Sequence, residues 1–245
     1  MMDKAMIFAA GLGTRLKPLT DQKPKALVEL AGKSLLQFTI DKLTRFGIST
    51  IVINIHHFPD LMRTAINALE THAEVVISDE SDLLRDTGGG LLKASKYLEG
   101  ESPFLVHNVD VISDISFDKM YEQHTRSGAM ATLAVCNRKT SRYFLWHKNR
   151  LCGWKNMQTG DQITSFSTAA EPEPLAFSGI HIISPRIFEY MTENGIFSIN
   201  KVYLRLAARH PIMAYRHNPD FWADVGTPEK LQKAEEMVRN NPEKF

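Results

Sequence analysis

Lys4-Ala-Met-Ile-Phe-Ala-Ala-Gly-Leu-Gly-Thr-Arg-Leu-Lys-Pro-Leu-Thr20, near the start of the chain, combines a short apolar run with a glycine-rich, basic loop. The apolar part predicts a buried strand, which is followed directly by Gly11 and Gly13. Glycines let backbone N–H groups approach an anion closely, and Arg15 and the nearby Lys25 can add positive charge. The stretch therefore predicts a strand that opens into a phosphate-binding loop.

Two common phosphate-binding motifs do not fit this loop. A P-loop requires Gly-x-x-x-x-Gly-Lys-Ser/Thr, which does not occur here, and a dinucleotide fingerprint requires a third glycine where Leu16 stands. Pro18 also interrupts the helix that a dinucleotide fingerprint would open. A tight strand-to-loop turn without a ligand is the alternative that this loop alone leaves open.

Composition excludes several classes of protein. The 245 residues are 43% hydrophobic and carry a formal net charge of +1, which argues against a general nucleic-acid binder. The apolar run at 5–10 is too short for a signal peptide, and no run of about 18 apolar residues predicts a membrane span. We therefore expect a cytoplasmic protein without nucleic-acid or membrane partners.

Cysteines and histidines predict no metal centre. Cys136 and Cys152 lack the spacing of metal ligands and are expected to be reduced thiols. Adjacent residues on a strand point to opposite faces, so His56 and His57 cannot easily bind one ion. These two and His107 are expected on the surface or in loops.

Strands and helices alternate through the first half of the sequence. Strands are predicted at 5–10, 50–55, 74–78 and 103–108, with helices at 35–46, 59–69 and 91–98. This order is typical of an α/β domain with a mostly parallel central sheet and helices on both faces. The second half predicts a hairpin over 142–155, a long loop over 156–174 and further short elements, and residues from about 137 to 220 would cover the substrate.

Polar motifs follow the ends of the predicted strands, where ligands bind in open parallel sheets. Thr87-Gly-Gly-Gly90 is predicted as a turn at a helix start, and Asn108-Val-Asp110 follows the fourth strand. Asp224, within Trp222-Ala-Asp-Val-Gly-Thr-Pro228, ends a later strand. Mg²⁺ takes one or two carboxylates and fills its other positions with phosphate oxygens and water. Taken singly, each motif has an alternative without a ligand. The glycines could serve packing or a flexible turn, Asp110 could be an ordinary turn carboxylate, and Asp224 could be a helix cap or a loop residue.

The four motifs together, in this order, resemble those of the sugar-1-phosphate nucleotidylyltransferases (nucleotide-sugar pyrophosphorylases), and the resemblance runs over about 4–236. The short bacterial N-acetylmuramate 1-phosphate uridylyltransferases are the most similar members, on the evidence of Asp86-Thr-Gly-Gly-Gly90, Phe177-Ser-Gly-Ile180, Pro185 and the chain end soon after 222–231. Mannose-1-phosphate guanylyltransferases share most motifs. Many of them carry an added C-terminal β-helix, for which this chain has no residues left.

The resemblance implies a Rossmann-like nucleotidyltransferase domain over 1–245. Residues 1–136 would bind the nucleotide, about 137–220 would form a small β-rich part over the sugar, and 221–245 would supply a metal-binding aspartate and a closing helix. The implied reaction is Mg²⁺-dependent transfer from UTP to N-acetylmuramate 1-phosphate, a step of cell-wall sugar recycling. The alternative is transfer from GTP to mannose 1-phosphate or a related hexose or heptose 1-phosphate.

The resemblance also implies residue roles. Arg15 would steady the leaving pyrophosphate, and Lys25 would bridge the two reacting phosphates. The remaining positions are Ala10, Gly11, Gly13 and Thr14 at the triphosphate; Glu80, Thr87 and Gly88 at the base and ribose; Asn108, Ser178 and Gly179 at the sugar; and Asp110 and Asp224 at Mg²⁺.

Some positions depart from the family pattern. Val109 replaces the glycine of the usual Asn-Gly-Asp, Lys17 stands where a second arginine often occurs, and Asp86 replaces a common glutamate. The Glu-Lys pair that contacts sugar in many relatives is not evident between 137 and 175. The identity of the sugar and the choice between uracil and guanine therefore stay open. The sequence also leaves open whether the protein is a monomer or a homodimer.

The sequence disfavours two other classes of function. A nucleotide-dependent oxidoreductase is disfavoured by the missing third glycine and by Pro18. A regulatory subunit that senses nucleotide sugars would tend to lose the loop cations or metal carboxylates. This sequence has both cations, Arg15 and Lys25, and both carboxylates, Asp110 and Asp224. Their presence favours an active enzyme.

Overall fold

A ten-stranded mixed sheet with helices packed on it organises the computed structural model, which describes residues 2–218 and 220–244. The strands are β1 Lys4–Phe8, β2 Glu29–Leu30, β3 Lys33–Ser34, β4 Thr50–Ile55, β5 Glu74–Asp79, β6 Phe104–Asn108, β7 Val111–Ser113, β8 Ala131–Cys136, β9 Arg142–His147, β10 Arg150–Asn156, β11 Gln162–Thr164, β12 Glu173–Ile183, β13 Ile212–Arg216 and β14 Trp222–Asp224. The helices are α1 Leu35–Phe46, α2 Pro59–Asn67, α3 Asp86–Lys93, α4 Ser95–Leu98, α5 Phe117–Ser127, α6 Ile187–Tyr190, α7 Ile199–Leu206 and α8 Pro228–Asn240, with short 3-10 helices at Thr14–Leu16, Lys25–Leu27 and Pro242–Lys244.

The strand order of the large sheet is β11-β10-β13-β8-β12-β6-β1-β4-β5, and β9 pairs with β10 and β12. The pairs β6-β1, β1-β4 and β4-β5 are parallel, as predicted for the first half of the chain. The predicted mostly parallel arrangement does not extend to the second half, where β8-β13 is the one parallel pair among the described strands. There, the long β12 enters between β6 and β8 in the opposite direction, and β9, β10 and β11 follow one another as antiparallel hairpins.

The core lies in two layers, one on each face of the sheet. Along β4, Ile51 and Ile53 contribute to one buried apolar cluster, whereas Val52 between them belongs to the other. Successive side chains of a strand point to opposite faces, so a strand covered on both sides must be apolar throughout. The β-branched run that predicted this strand is therefore explained by burial on both faces.

The ends of α1 confirm the predicted helix signals. The Ser34 hydroxyl accepts a hydrogen bond from the Gln37 N–H at 3.1 Å, as an N-cap should. Gly47 follows the helix with φ 103°, the left-handed conformation that glycine adopts at a helix end. Local sequence thus fixed both ends of the first helix.

Two predicted segments differ from the structure. Residues 86–90 were expected as a turn before a helix at 91–98, but they form the start of α3, and the helical stretch to Leu98 is divided into α3 and α4. Residues 156–174 were expected as a loop, but they contain β11 and the start of β12. Hydrogen bonds to the distant Phe197 carbonyl favour the helix at 88–89, whereas pairing with the nearby β10 and β9 forms the strands in 156–174. The division at 136 and 220 remains a prediction, since one sheet runs through the first two parts.

Cys136 and Cys152 are buried and unpaired. Among the described residues, no helix is both long and apolar enough to cross a bilayer.

A two-stranded ribbon of β7 and β14 lies outside the large sheet. The antiparallel register pairs Val111 with Asp224, and the Val225 N–H donates to the Asp110 carbonyl at 2.8 Å. The ribbon therefore places two aspartates that are far apart in the sequence beside each other.

Lys42 on α1 is hydrogen-bonded to the β7 strand of this ribbon. Its Nζ donates to the carbonyl and the hydroxyl of Ser113, at 2.6 and 2.9 Å. Burial lowers the pKa of Lys42 to about 7, and the carboxylates of Asp114 and Asp220 oppose part of that effect. The folded protein thus holds a lysine that loses its proton near neutral pH.

We expect Lys42 to make stability depend on pH. Above about pH 7 the folded lysine loses its proton while the unfolded one keeps it, so the unfolding free energy rises by about 1 kcal/mol per pH unit from this group. Lys42→Met removes this contribution, so its unfolding free energy relative to wild type should fall as pH rises. Urea denaturation of both proteins at several pH values between about 7 and 9 measures this difference. Lys201→Met, at an exposed site on α7, should show a constant difference; a constant difference for Lys42→Met would contradict the prediction.

Candidate active site

A cavity of about 340 Å³ opens where β1, β4 and β6 end at their carboxyl ends. This edge is where ligands bind in open α/β sheets. Ala10, Gly11 and Lys25 line the cavity from the opening loop, and Thr87 lines it from α3. The predicted phosphate-binding loop and the glycine-rich motif therefore lie at one cavity.

Gly13 and Thr14 do not line this cavity. Gly13 has φ 64°, and a Cβ there would lie 3.0 Å from the Cβ of Lys25. The Thr20 hydroxyl also donates to the Gly13 carbonyl at 2.9 Å. Gly13 thus has a conformational role, because it allows the loop to fold back onto Lys25; a direct nucleotide contact remains a prediction.

Glu80 is fully buried at the wall of the cavity. Its Oε1 accepts from Asn54 Nδ2 at 2.7 Å, and its Oε2 accepts from the Arg85 N–H at 3.0 Å. Asn54 in turn accepts from the Ala9 N–H at 2.7 Å. This network joins four elements, namely β1, β4, β5 and the start of α3, so Glu80 braces the loop that enters α3. Its contact with the base stays a prediction.

Packing explains the glycines of α3. The Gly88 N–H donates to the Phe197 carbonyl at 2.8 Å, and a Cβ on Gly88 would lie 2.4 Å from the Phe197 ring. Thr87 Oγ1 accepts from the Ile199 N–H at 3.0 Å. These contacts hold the loop before α7 against α3. The Gly88 N–H is used within the protein, and its nucleotide contact remains a prediction.

A second cavity of about 370 Å³ adjoins the first, and both are lined by Asn108 and Asp110. Gly179 and Asp224 line only the second one, together with Arg15. A Cβ at Gly226 would lie 3.0 Å from Arg15 Nη2, so the exposed arginine reaches toward the Asp224 side. The structure thus brings the predicted sugar and metal residues together; the contact of Arg15 with pyrophosphate is untested.

Asp110 and Asp224 are each paired with a lysine. Lys25 Nζ contacts Asp110 Oδ2, and Lys230 Nζ contacts Asp224 Oδ2 at 2.5 Å. Asp110 Oδ1 has no hydrogen-bond partner among the residues that the structure describes. Two adjacent carboxylates with oxygen atoms directed at one cleft have the donor chemistry that Mg²⁺ prefers, and two protein carboxylates are sufficient when phosphates supply further oxygens. Larger groups of three or more His, Cys, Asp or Glu able to hold a metal do not occur in residues 2–218 and 220–244.

Ser178 uses its hydroxyl inside the protein. The side chain is buried, and its Oγ lies 2.7 Å from His217 Nε2. Burial lowers the pKa of His217 to about 4, so the imidazole is neutral at physiological pH. The Ser178 carbonyl accepts from Trp222 Nε1 at 2.8 Å. Ser178 therefore shapes the cavity wall, and its predicted direct contact with sugar is untested.

His107 is buried, which corrects the expectation of a surface or loop residue. Its Nδ1 lies 2.8 Å from the Asn108 carbonyl, which can only accept, so Nδ1 carries the proton. Burial is the main cause that lowers the pKa of His107 to about 3, and the Lys42 charge adds to it. A neutral imidazole thus fixes the backbone of the residue shared by both cavities.

Gly179 permits a close approach to Asn108. It has φ 76°, and a Cβ there would lie 2.7 Å from Asn108 Nδ2. We expect Gly179→Ala to cost about 1–3 kcal/mol in unfolding free energy and to impair binding in both cavities, because Asn108 must move. Thermal denaturation and steady-state kinetics measure the two effects.

Gly160→Ala is the matched control. Gly160 has φ 79° with nothing near its added Cβ, so it tests backbone strain alone. Gly160→Ala should lower the unfolding free energy and leave the steady-state kinetics unchanged. Unchanged kinetics in Gly179→Ala as well would show that Asn108 is not held at this position for function.

Sequence reasoning missed several residues that line or brace the two cavities: Asn54, Arg138, Lys139, His217 and Lys230. A signal existed for Asn54, a polar residue in an otherwise apolar strand, and for the basic pair that follows the end of β8. No local signal marks His217 or Lys230, since their roles depend on contacts made by folding.

Known proteins resemble this chain in sequence and in fold. A model of the nucleotidyl transferase family matches residues 4–241. An N-acetylmuramate alpha-1-phosphate uridylyltransferase from Caulobacter vibrioides is 34% identical over 94% of this chain and 95% of its own length. A probable mannose-1-phosphate guanylyltransferase from Oryza sativa subsp. japonica is 28% identical over 92% of this chain but 62% of its own length. A UDP-glucose pyrophosphorylase structure from Acinetobacter baumanii has a TM-score of 0.77 at 18% identity, covers 97% of this chain and 93% of its own, and so shares the fold.

Proposed function

The chain belongs to the nucleotidyl transferase family, and from this membership and its site we propose that it transfers a nucleotidyl group from a nucleoside triphosphate to a sugar 1-phosphate. One observation carries the proposal: two adjoining cavities share Asn108 and Asp110. Two anionic substrates bound in these cavities would meet at the shared edge, beside the Lys25 ammonium.

The proposed reaction is an in-line displacement at phosphorus. An oxygen of the sugar phosphate attacks the α-phosphorus, the bond to the bridging oxygen of the β-phosphate breaks, and pyrophosphate leaves. The attacking oxygen is already an anion, so no strong general base is needed. The protein must bring two anions together and stabilise the charge between them, which makes catalysis a matter of position and electrostatics.

We assign the residue roles from the sequence motifs and, for residues that line a cavity, also from that position. Lys25 bridges the α-phosphate and the sugar phosphate, and Arg15 steadies the leaving pyrophosphate. The other assigned contacts at the cavities are Ala10 and Gly11 for the triphosphate, Glu80 and Thr87 for base and ribose, and Asn108 and Gly179 for the sugar. Thr14 lines neither cavity and is assigned to the triphosphate only by its place in the opening loop. Gly13, Gly88 and Ser178 act by shaping the cavity walls, which their internal hydrogen bonds support.

Asp110 and Asp224 are the residues that would hold Mg²⁺, which when bound supplies positive charge to phosphate oxygens. Their adjacent positions on the ribbon support this assignment. Lys25 and Lys230 balance the two carboxylates through direct ion pairs. Each lysine therefore neutralises one of the two carboxylates that we assign to the metal.

UTP and N-acetylmuramate 1-phosphate are the substrates we propose. The relative of that activity matches this chain over nearly its whole length, at 34% identity. Transfer from GTP to mannose 1-phosphate is the second candidate, which the 28% identical relative supports over 62% of its length. We place the activity in the cytoplasm, in a monomer or homodimer; the two unpaired, buried thiols fit a reducing compartment.

Pyrophosphate release tests this proposal. The protein is incubated with Mg²⁺, each of four nucleoside triphosphates and several sugar 1-phosphates, and pyrophosphate is measured with a coupled assay. We expect release only when a triphosphate and a sugar 1-phosphate are both present, with the highest rate for UTP and N-acetylmuramate 1-phosphate. Release without a sugar phosphate, or from no combination, would contradict the proposed transfer.

A further inference from the structure

The second cavity contains more cationic groups than its own carboxylates balance. Arg138 and Lys139 line it beside Asp110 and Asp224. The two aspartates are already paired with Lys25 and Lys230. Within the described part of the chain, no carboxylate lies within ion-pair distance of Arg138 or Lys139. These two charges are therefore available to a ligand.

Arg138 is held in a fixed orientation. Its Nη2 donates to the Phe177 carbonyl at 2.7 Å, and its guanidinium carbon lies 4.2 Å from the centroid of the Trp222 ring. Its Nε is buried and has no hydrogen-bond partner among the described residues. A guanidinium has five N–H donors, so most of its hydrogen-bonding capacity is unused.

The position of Arg138 fits the far side of a bound sugar. Trp222 and Asp224 are two residues apart on β14, so their side chains point to the same face. Their separation along the strand is roughly 7 Å, the scale of one hexose ring. A sugar whose phosphate lies near Asp224 would therefore bring its other end to the Arg138 guanidinium.

A planar, immobilised guanidinium is suited to a carboxylate, which it can bind through two parallel hydrogen bonds. A hexose 1-phosphate without a carboxylate would place its only charge near Asp224. It would leave Arg138 and Lys139 without a counter-charge at the other end of the sugar. A sugar that carries a carboxylate in addition to its phosphate would balance them. Such a carboxylate occurs on the lactyl ether of N-acetylmuramate and on C6 of a uronic acid.

We propose that Arg138, assisted by Lys139, binds a carboxylate on the sugar and so selects carboxylated sugar 1-phosphates over neutral ones. This inference rests on the proposed nucleotidyl transfer. It names the group that discriminates between the two candidate sugars, since mannose 1-phosphate lacks a carboxylate.

Matched pairs of sugars test the inference by kcat/KM. The pairs are N-acetylmuramate 1-phosphate against its lactyl amide and against N-acetylglucosamine 1-phosphate, and glucuronate 1-phosphate against glucose 1-phosphate. We expect wild type to prefer the carboxylated member of at least one pair by about 10- to 100-fold, the range of a hydrogen bond to a charged group. The pair that shows the preference identifies the source of the carboxylate.

Arg138→Gln should remove most of this preference, and Arg138→Lys should restore part of it. Arg138 also holds Phe177 and Trp222, but a loss of structure alone would lower the rates for both members of a pair equally. Arg142→Gln is the control, since Arg142 is exposed on β9 and lines a different cavity. Equal use of both members by wild type, or an unchanged preference in Arg138→Gln, would overturn the inference.

Direct binding separates this inference from the proposed reaction. Calorimetric titration of the full chain with N-acetylmuramate, glucuronate and N-acetylglucosamine requires no turnover. Tighter binding of a carboxylated sugar by wild type than by Arg138→Gln would support the carboxylate site even if no pyrophosphate were released. Equal binding by the two proteins would overturn it even if transfer were observed.

Discussion

Asp110→Ala is expected to lower kcat for nucleotidyl transfer by on the order of 1000-fold, because it removes a carboxylate from the proposed metal site and the partner of Lys25. Asp110 is the one proposed metal-binding residue that lines both cavities. The loss should therefore appear at saturating concentrations of both substrates. Steady-state pyrophosphate release over a range of Mg²⁺ concentrations measures it.

The fold should survive this substitution. Asp110 follows β6 at the cleft, and its backbone carbonyl keeps the hydrogen bond from Val225 whatever the side chain. Asp110→Asn retains the size of the side chain and should be nearly as inactive, since it lacks the negative charge. Circular dichroism and thermal denaturation establish folding. Near-wild-type turnover of the folded alanine variant with Mg²⁺ would contradict the metal assignment.

Lys25→Ala is expected to raise the reaction barrier by about 3 kcal/mol, which lowers kcat by on the order of 100-fold. Lys25 is 8% exposed and contacts Asp110, so its ammonium lies at the edge where the two substrates would meet. An interaction made mainly in the transition state lowers kcat, whereas one made equally with bound substrate raises only KM. Initial rates across a matrix of both substrate concentrations separate these effects.

Lys23→Ala provides the matched control for Lys25. Lys23 lies two residues away and lines neither cavity, so its replacement should leave kcat unchanged. The double variant Lys25→Ala/Asp110→Ala should lose less than the sum of the two single losses, since the side chains are in contact. A change confined to KM in Lys25→Ala would mean that this lysine only binds substrate.

The first half of the fold was predictable because its signals are local. The run at 50–55 is continuous and β-branched, as a strand buried on both faces requires. Ser34 and Gly47 are standard residues for the start and end of a helix, and both act as predicted. These features depend on neighbours in the sequence.

The second half was less predictable because its arrangement depends on distant pairing. The direction and position of β12 are set by its partners β6 and β8, which no local pattern encodes. Three successive glycines also disfavour a helix. Residues 88–90 nevertheless lie in α3, where Gly88 and Gly89 donate to the Phe197 carbonyl. Tertiary contact therefore overrides local preference.

The sequence predicted which motifs form the site, but it did not predict many of the contacts between them. Family resemblance linked Asp110 with Asp224, and the structure explains their proximity through the β7-β14 ribbon. The sequence did not reveal that the Ser178 hydroxyl is bound to His217, because that contact joins two distant segments. Arg138 was missed because a basic residue after a strand is usually solvated, and only folding places it on Trp222.

The fate of the α-phosphate tests the central claim most directly. The protein is incubated with Mg²⁺, N-acetylmuramate 1-phosphate and UTP labelled at the α-phosphorus, and the products are separated by chromatography. We expect the label to appear in a nucleotide sugar, with unlabelled pyrophosphate formed in equal amount. Label that stays in UTP, or that appears only in free UMP or UDP across all sugar 1-phosphates tried, together with the same result for GTP labelled at the α-phosphorus, would contradict nucleotidyl transfer at this site.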